Sequence, residues 1–401
     1  MKLEDAPKAN APAQPFLHQQ VQQIAQNHHG QTQINPQPQI AGQRQMVFGH
    51  IVTEENRLRR GSFHVGNAVG YIGEIDRIVD FLSCQRQFNY DHAMKVIWNA
   101  LPRKAWQEFH AQHGGSLQQS WAYGEAMQAL GIQAHRAAVM EGKKVLALAQ
   151  FIGRRYLHYI SLASCTRGPV WSPGLDAASR NQIYKAFKKT IPTRMFRVTL
   201  FSPDVPLDQL PPASLRGLQR VMTGYSTVVI DLTQSEAALR EGLDRKWRNR
   251  VFRPLRSAPL QVQFKADMRD CRHLLEREQA QRASRNFHGL PTDFVPAFID
   301  GHERPEQGYL VATTRHEGRI IASMLFLLHG DGATYHIGWS DEEGRKLSAH
   351  NVMLWQAMLL LKKRGLRRLD LGGINTHDLP GISRFKLATG GQVLTLAGTY
   401  F

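Results

Sequence analysis

One order of elements is written twice in this chain of 401 residues. The first copy runs through the helix QSWAYGEAMQALG (119–131), the strands AHRAAVME, KVLALAQFIG and YLHYISLAS, the loop CTRGPVWSP, the helix DAASRNQIYKAFKKTI and the strand MFRVTLFS. The second runs through the strands GYLVATTRHEG, RIIASMLFLLHG and ATYHIGWS, the helix KLSAHNVMLWQAMLLLKKRG and the strand RRLDLGG. In each copy a Glu-Gly pair, Glu141-Gly142 or Glu317-Gly318, turns one strand into the next, and with a slip of one residue Ala147 and Phe151 match Ala322 and Phe326. A hairpin, a third strand, a helix and a fourth strand, repeated, restrict the fold to α/β with two tandem modules of mixed, mostly antiparallel sheet. Internal duplication is the simplest account of the repeat.

Composition excludes several classes. At 42% hydrophobic and 21% charged the chain is globular and long enough for two or three cores. Its longest apolar run, Ile320 to Leu328, is less than half of the roughly 20 residues a spanning helix needs. The polar, Pro-rich start MKLEDAPKANAPAQP lacks the apolar stretch of a secretory signal, so a cytosolic compartment is expected. Cys84, Cys165 and Cys271 lie far apart with no C-x-x-C, which supports neither a disulfide framework nor a zinc site, and no metal is expected. The net charge of +17 is uneven: residues 1–60 carry +2, 61–115 carry none, and 132–230 hold 14 bases against 4 acids. Such a field concentrates polyanions such as RNA, nucleotide phosphates or anionic headgroups, with a plain solvated basic surface as the alternative.

The expected organisation has five parts. Residues 1–45, rich in Gln, Asn, His and Pro, read as a disordered tail, so His28-His29 is not a metal site. Residues 46–115 read as a helical region of unknown role, with one apolar stripe at Ile75, Ile78, Val79 and Leu82 and another around Met94, Val96, Ile97 and Leu101. The first module covers 116–232 and closes on the strand TVVIDL. A basic helix and a helical arm of hairpin type occupy 233–305, and the second module covers 306–401. The basic helix, EAALREGLDRKWRNRVFRPLRS, is expected to be continuous until Pro254 ends it. Leu239, Leu243, Trp247 and Val251 form its apolar stripe, and Lys246, Arg250 and Arg253 a neighbouring cationic one beside Arg248 and Arg256. Those five cations are candidates for RNA-backbone contact, with an exposed structural face as the other reading. The tail reads as the strand RRLDLGGI, a loop PGISRFKLATGG and a closing strand VLTLAGTYF.

Hairpin, third strand, helix and fourth strand are also the order of a GNAT acyltransferase core. The segments QSWAYGEAMQALG, GPVWSP, STVVIDL with KWRNRVFRPLRS, HIGWSDEEGRKLSAHNVMLWQAM, DLGGI and GISRFKLATGG, in this order, resemble the Fem family of peptidyltransferases, whose members take an amino acid from aminoacyl-tRNA and place it on an amine. The resemblance covers about three quarters of the chain. It implies tandem GNAT-like modules, aminoacyl-tRNA as donor, and a substrate-channel role for Phe385 and Lys386. Members acting on muropeptides carry a lysine in the first helix for the acceptor's phosphates. Met127 stands there in this chain, so the expected acceptor is an amine-bearing peptide or small molecule rather than a peptidoglycan precursor.

An aminoacyl ester is already activated. Its transfer to an amine needs a neutral nucleophile, alignment and stabilisation of the oxyanion, and no covalent intermediate. Lys386 is the candidate for that charge, and Phe385 for stacking on a terminal adenine unless it packs in the core. Asp370 is a candidate base or orienting group, with turn capping as the alternative. Tyr335, His336 and Ser340 are placed along the neighbouring strand, His336 with a core histidine as the plainer reading, and Arg384 is grouped with them as substrate-binding. No cofactor is expected. A coenzyme A pyrophosphate needs a cradle of small residues before the helix, and Arg345-Lys346-Leu347-Ser348-Ala349-His350 puts side chains there. An acyl-CoA-dependent N-acyltransferase is therefore the second reading and a catalytically silent RNA-binding or membrane-surface protein the third. Peripheral membrane contact stays open.

Overall fold

The computed structural model describes residues 94–156, 160–193, 196–257, 260–285, 290–376 and 380–401. The expected tail at 1–45, the helical stripe at Ile75–Leu82 and Cys84 lie outside them. In chain order the elements are β1 (Met94–Trp98), α1 (Arg103–Gln112), α2 (Trp121–Ala129), β2 (Gln133–Glu141), β3 (Lys144–Tyr156), β4 (Ile160–Thr166), β5 (Val170–Trp171), α3 (Ala177–Thr190), β6 (Phe196–Ser202) and β7 (Arg220–Met222). They continue with β8 (Ser226–Asp231), α4 (Glu236–Gly242), α5 (Arg245–Ser257), β9 (Val262–Lys265), α6 (Met268–Arg285), α7 (Phe294–Asp300), β10 (Tyr309–His316), β11 (Arg319–His329) and β12 (Gly332–Ser340). Last come α8 (Glu342–Lys346), α9 (Ala349–Lys363), β13 (Arg368–Gly373), α10 (Pro380–Leu387), β14 (Gln392–Thr395) and β15 (Thr399–Tyr400). One sheet has the order β1-β2-β3-β4-β6-β15-β7 with β5 on β3, and the other β14-β8-β13-β12-β11-β10-β9. Every pairing is antiparallel except β4 with β6 and β12 with β13.

The duplication extends to the irregularities. Both hairpins close with two residues, Gly142-Lys143 between Glu141 and Lys144, and Glu317-Gly318 between His316 and Arg319. The turn residues Gly142, Glu317 and Gly318 take positive φ of 57°, 50° and 77°, as tight hairpin turns require. The turns are centred one residue apart relative to their Glu-Gly pairs, which explains the slip that aligns Ala147 with Ala322 and Phe151 with Phe326. A bulge follows at the same distance in each, skipping Leu146 in β3 and Ile321 in β11.

Burial fuses the modules. The first has its own core around Phe151, Tyr184, Phe187 and Phe201, and one face of the second sheet packs on α5 and α9 through Val251, Met353, Trp355 and Phe326. A third cluster is shared: Tyr123, Met127 and Ile152 of the first module meet Phe294, Phe298, Tyr309, Leu325 and Ile337.

Several sequence expectations change form. Met94–Trp98 is a strand paired with β2 rather than a turn of helix; Val96, Ile97 and Trp98 suit a pleated edge, and Trp98 packs on Phe151 and Phe187. The strand at 226–231 belongs to the second sheet, between β13 and β14, so the first sheet ends its own run at β7. The basic helix is two helices. Leu243 is extended, and Asp244 restarts the chain by accepting from the Lys246 and Trp247 amides. Pro254 does not end α5, since three residues from the end it forfeits a single backbone bond. The hairpin arm takes another shape, with α6 burying Cys271 and Leu274 against the second sheet and α7 packing on α2. Residues 380–387 are helix rather than loop. The closing strand is two short strands in different sheets, separated by Gly398 at a φ of 104°.

Candidate functional site

Parallel strands with a crossover helix can pair along their whole length or part company, and the two modules differ in this. In the first, β4 and β6 stay paired at seven successive positions, Ile160 with Phe196 through Thr166 with Ser202. In the second, β12 and β13 pair at only three, Gly332 with Arg368 through Thr334 with Asp370; β12 then runs on to Ser340 without β13. Beyond Thr334 and Asp370 the facing backbone edges are no longer paired, which leaves a slot between the two strands.

Lys386 closes the back of this slot. It is 9% exposed, and its Nζ donates to the Gly373 carbonyl at 2.8 Å. A methyl group on Gly372 would lie 3.6 Å from that Nζ and 4.0 Å from the Tyr335 carbonyl oxygen, so the ammonium and the edge of β12 flank the same gap. Gly372 has φ of 75°, and β13 bulges between Asp370 and Gly373 before pairing again with Thr227. Asp370 builds that bulge: its Oδ1 accepts from the Gly372 amide and from Thr227 Oγ1, both at 2.7 Å. Its Oδ2 accepts from Arg167, which reaches across from the first module and donates with its Nε to Asp204 at 2.7 Å. Tyr225 completes the mouth. Its hydroxyl is turned inward onto Arg167 and its ring lies against Gly373, yet 45% of the residue is exposed.

Burial sets the protonation states. It pushes the Lys386 ammonium down to about 8, with the Asp370 carboxylate pulling the other way. Burial alone would raise Asp370, but Arg167 and the bonds from Thr227 and Gly372 hold it below the usual carboxylate range. Burial also opposes the Arg167 charge, which Asp204 and Asp370 keep in place, and it pushes the Tyr225 phenol up to about 12. The group as a whole sets an ammonium of lowered pKa beside the slot, next to a fixed carboxylate. Cys165 and Cys271 are buried with raised thiols, so neither supplies a thiolate. Among the described residues no three His, Cys, Asp or Glu side chains group as a metal site, and no helix is long and apolar enough to cross a membrane.

The remaining sequence candidates scatter. Phe385 faces inward, its ring 5.9 Å from Trp247 and 6.3 Å from His350, and it packs on the second-module core. Tyr335 and His336 alternate across β12: Tyr335 packs on Phe326, and His336 meets Phe294 on the opposite face, where burial lowers its ring to about 4. Ser340 donates to the Asp341 carbonyl at the start of α8, and Arg384 is exposed on α10. On α5, Lys246, Arg250, Arg253 and Arg256 are exposed, whereas Arg248 turns back to the Glu241 and Leu243 carbonyls and ties α4 to α5. Met127 is buried in the shared core. Sequence reasoning missed Arg167, Asp204, Tyr225 and Thr227. The one available signal was the position of Arg167 in the CTRGPVWSP loop.

The QSWAYGE segment is structural. Gln119 bonds the Gln150 backbone and the Thr166 carbonyl, while Arg136 lies 3.7 Å over the Trp121 ring and pairs with Glu125 at 2.7 Å. Gly124 is required there, since a Cβ would come within 2.1 Å of Gln150 Oε1. A separate cleft of about 520 Å³ opens at the other end of β13, where Asp231 and Asp331 face Arg367 and Arg368.

Comparison with known proteins agrees with this architecture. A family model described as an acetyltransferase (GNAT) domain matches residues 238–387. The fold is similar to the crystal structure of FemX, at a TM-score of 0.66 and 15% identity over 76% of this chain and 96% of that one. It is also similar to a conserved protein of unknown function from Bacteroides thetaiotaomicron, at a TM-score of 0.51 and 13% identity over 76% of this chain and 98% of that one. No curated protein sequence matches. The chain thus has a Fem-like α/β fold of two tandem GNAT-like modules.

Proposed function

We propose that the protein is an aminoacyltransferase that moves an amino acid from aminoacyl-tRNA to an amine on a peptide or small molecule, forming an amide bond. The observation that carries this reading is the Lys386 ammonium behind a slot present in the second module and zipped shut in the first. An amine entering the slot attacks the ester carbonyl, and the Lys386 ammonium stabilises the oxyanion as it forms. The ester C–O bond then breaks, the ribose oxygen leaves as an alcohol with a proton from the attacking nitrogen, and the amide remains. The exposed cations of α5 supply the RNA surface, because Trp247 of α5 packs directly on the helix that carries Lys386.

A second observation favours an ester donor over coenzyme A. The turn between β12 and α9 is the short helix α8 followed by Leu347 and Ser348, so side chains rather than a run of glycine amides precede the start of α9, where a pyrophosphate would need them. Incubation with a mixed pool of charged tRNAs and an amine acceptor, followed by mass spectrometry of the esters and products, tests the reading. Consumption of one ester, abolished by RNase, is expected. Transfer that survives RNase and depends on acetyl-CoA would overturn it.

A further inference from the structure

Among the described residues, Arg167 is the first-module side chain shown bonded to Asp370, which supports Lys386, and its surroundings are costly. It is a non-glycine residue at φ of 50°, a left-handed conformation that is strained by roughly 1–2 kcal/mol for an L-residue. The loop is held from several sides. Ser116 Oγ donates to the Arg167 carbonyl at 2.8 Å, Gln119 holds the Thr166 carbonyl at 2.8 Å, and the Gly168 amide donates to Ser202 at 3.2 Å. Gly168 itself admits no Cβ, since Gln119 lies 2.5 Å from where one would be. A loop fixed in this way presents a guanidinium to two carboxylates, the half-buried Asp204 of its own module and the buried Asp370 of the other.

We infer that Arg167 is a positioning residue for Lys386, so that the first module, without a slot of its own, controls the ammonium of the second. This rests on the aminoacyl-transfer reading for its functional consequence, but the coupling itself does not. The links are continuous. Arg167 fixes Asp370, Asp370 holds the Gly372 amide and with it the bulge of β13, and the bulge aims the Gly373 carbonyl at Lys386 Nζ. Several groups act on the ammonium. Asp370 on β13 favours its charge, Arg167 offsets that carboxylate, Tyr225 before β8 stays protonated and neutral, and the Tyr335 carbonyl on β12 lies across the gap. His350 of α9, held neutral by burial, packs on the neighbouring Phe385.

Competitive labelling of lysines with a trace amine-reactive reagent across pH, read by mass spectrometry on the full-length protein, reports the titration of Lys386 without any donor or acceptor. Three variants give opposed expectations. Arg167→Met leaves Asp370 without its guanidinium and moves the Lys386 midpoint up by about one pH unit, whereas Asp370→Asn removes the favourable carboxylate and moves it down by a similar amount. Arg167→Lys keeps the charge, leaves the midpoint near that of the parent, and lowers kcat for transfer more than it changes KM, because a lysine cannot hold both carboxylates in the same geometry. Thermal melts check folding; if Arg167→Met does not fold, Arg167→Gln, which also removes the charge but keeps a polar side chain toward Asp370, carries the same expected upward shift, and an unmoved midpoint there overturns the inference. A Lys386 midpoint unmoved in folded Arg167→Met and Asp370→Asn overturns the inference. Opposed shifts in a protein that transfers nothing from tRNA uphold the coupling and sink the aminoacyl-transfer reading instead.

Discussion

Asp370 is the charged group that favours the Lys386 ammonium, and that carboxylate is already shared among Arg167, Thr227 and the Gly372 amide. Lysine ordinarily titrates at about 10.4. With the folded value near 8, folding disfavours the ammonium below pH 8, and the penalty fades as pH rises from 8 toward the unfolded value. A residue kept at such a cost is expected to act through its charge. Lys386→Met should therefore lower kcat about 10²–10³-fold, as loss of one oxyanion donor does, with a thermal midpoint equal to or above that of the parent. The pH profile assigns the role further: its acidic limb belongs to the acceptor amine and its alkaline limb, near pH 8, to Lys386. An alkaline limb that persists in Lys386→Met would remove the residue from the chemistry. Lys386 was singled out through the resemblance carried by its GISRFKLATGG segment, which is local in sequence. Arg167 was not, because its partner Asp370 is 203 positions away and nothing local distinguishes an arginine that bridges two modules from a solvated one. Tyr335 and His336 were over-read for a related reason: neighbours on a strand face opposite sides, so at most one could have faced the slot.

The helix α5 shows how far periodicity carries at the level of an element. Trp247, Val251, Phe252 and Leu255 pack on α9 and the second sheet, and the cations at 246, 250 and 253 fall on the outer face, as their spacing required. What periodicity did not show was the break before it. Leu243 continues the apolar stripe, so the stop depends on Asp244 capping the next turn and on Arg248 folding back over the end of α4. The Asp244 amide also donates to the Ala388 carbonyl just beyond α10, which joins the cationic helix to the element bearing Lys386. If this face meets the RNA backbone, Lys246→Glu with Arg250→Glu weakens binding of any tRNA alike and flattens the dependence of log K on log salt by about one for each cation lost. Both positions are exposed, so the melting midpoint should hold, since surface changes of this kind stay within about 0.5 kcal/mol. Filter binding at several salt concentrations checks the slope. Unchanged affinity at low salt would leave this face without an RNA role.

Over the whole molecule, the duplicated order of strands and helices was readable from the chain, but its closure was not. The last nine residues look like one strand, and nothing in their alternation says which sheet they join, because pairing partners far apart in sequence leave no local mark. In the structure the segment divides its loyalty. Gln392–Thr395 edges the second sheet on β8, while Thr399–Tyr400 enters the first between β6 and β7, with Phe401 and Gln219 exchanging backbone bonds at 2.9 and 3.0 Å. Tyr400 and Ala397 are buried in the first module's own core, so the end of the second module is a structural part of the first. Together with the apolar cluster that both modules share, this makes independent unfolding unfavourable: opening either module exposes Phe294, Phe298 and Met127 from the common core. Truncating Tyr400 to alanine leaves a cavity where an aromatic ring was, at a cost of about 3 kcal/mol. Calorimetry should show one transition before and after the change, shifted downward as a unit, with transfer activity and Lys386 labelling intact below the new midpoint. Two separated transitions in the variant, the lower from the first module alone, would show that the modules are joined only by their chain.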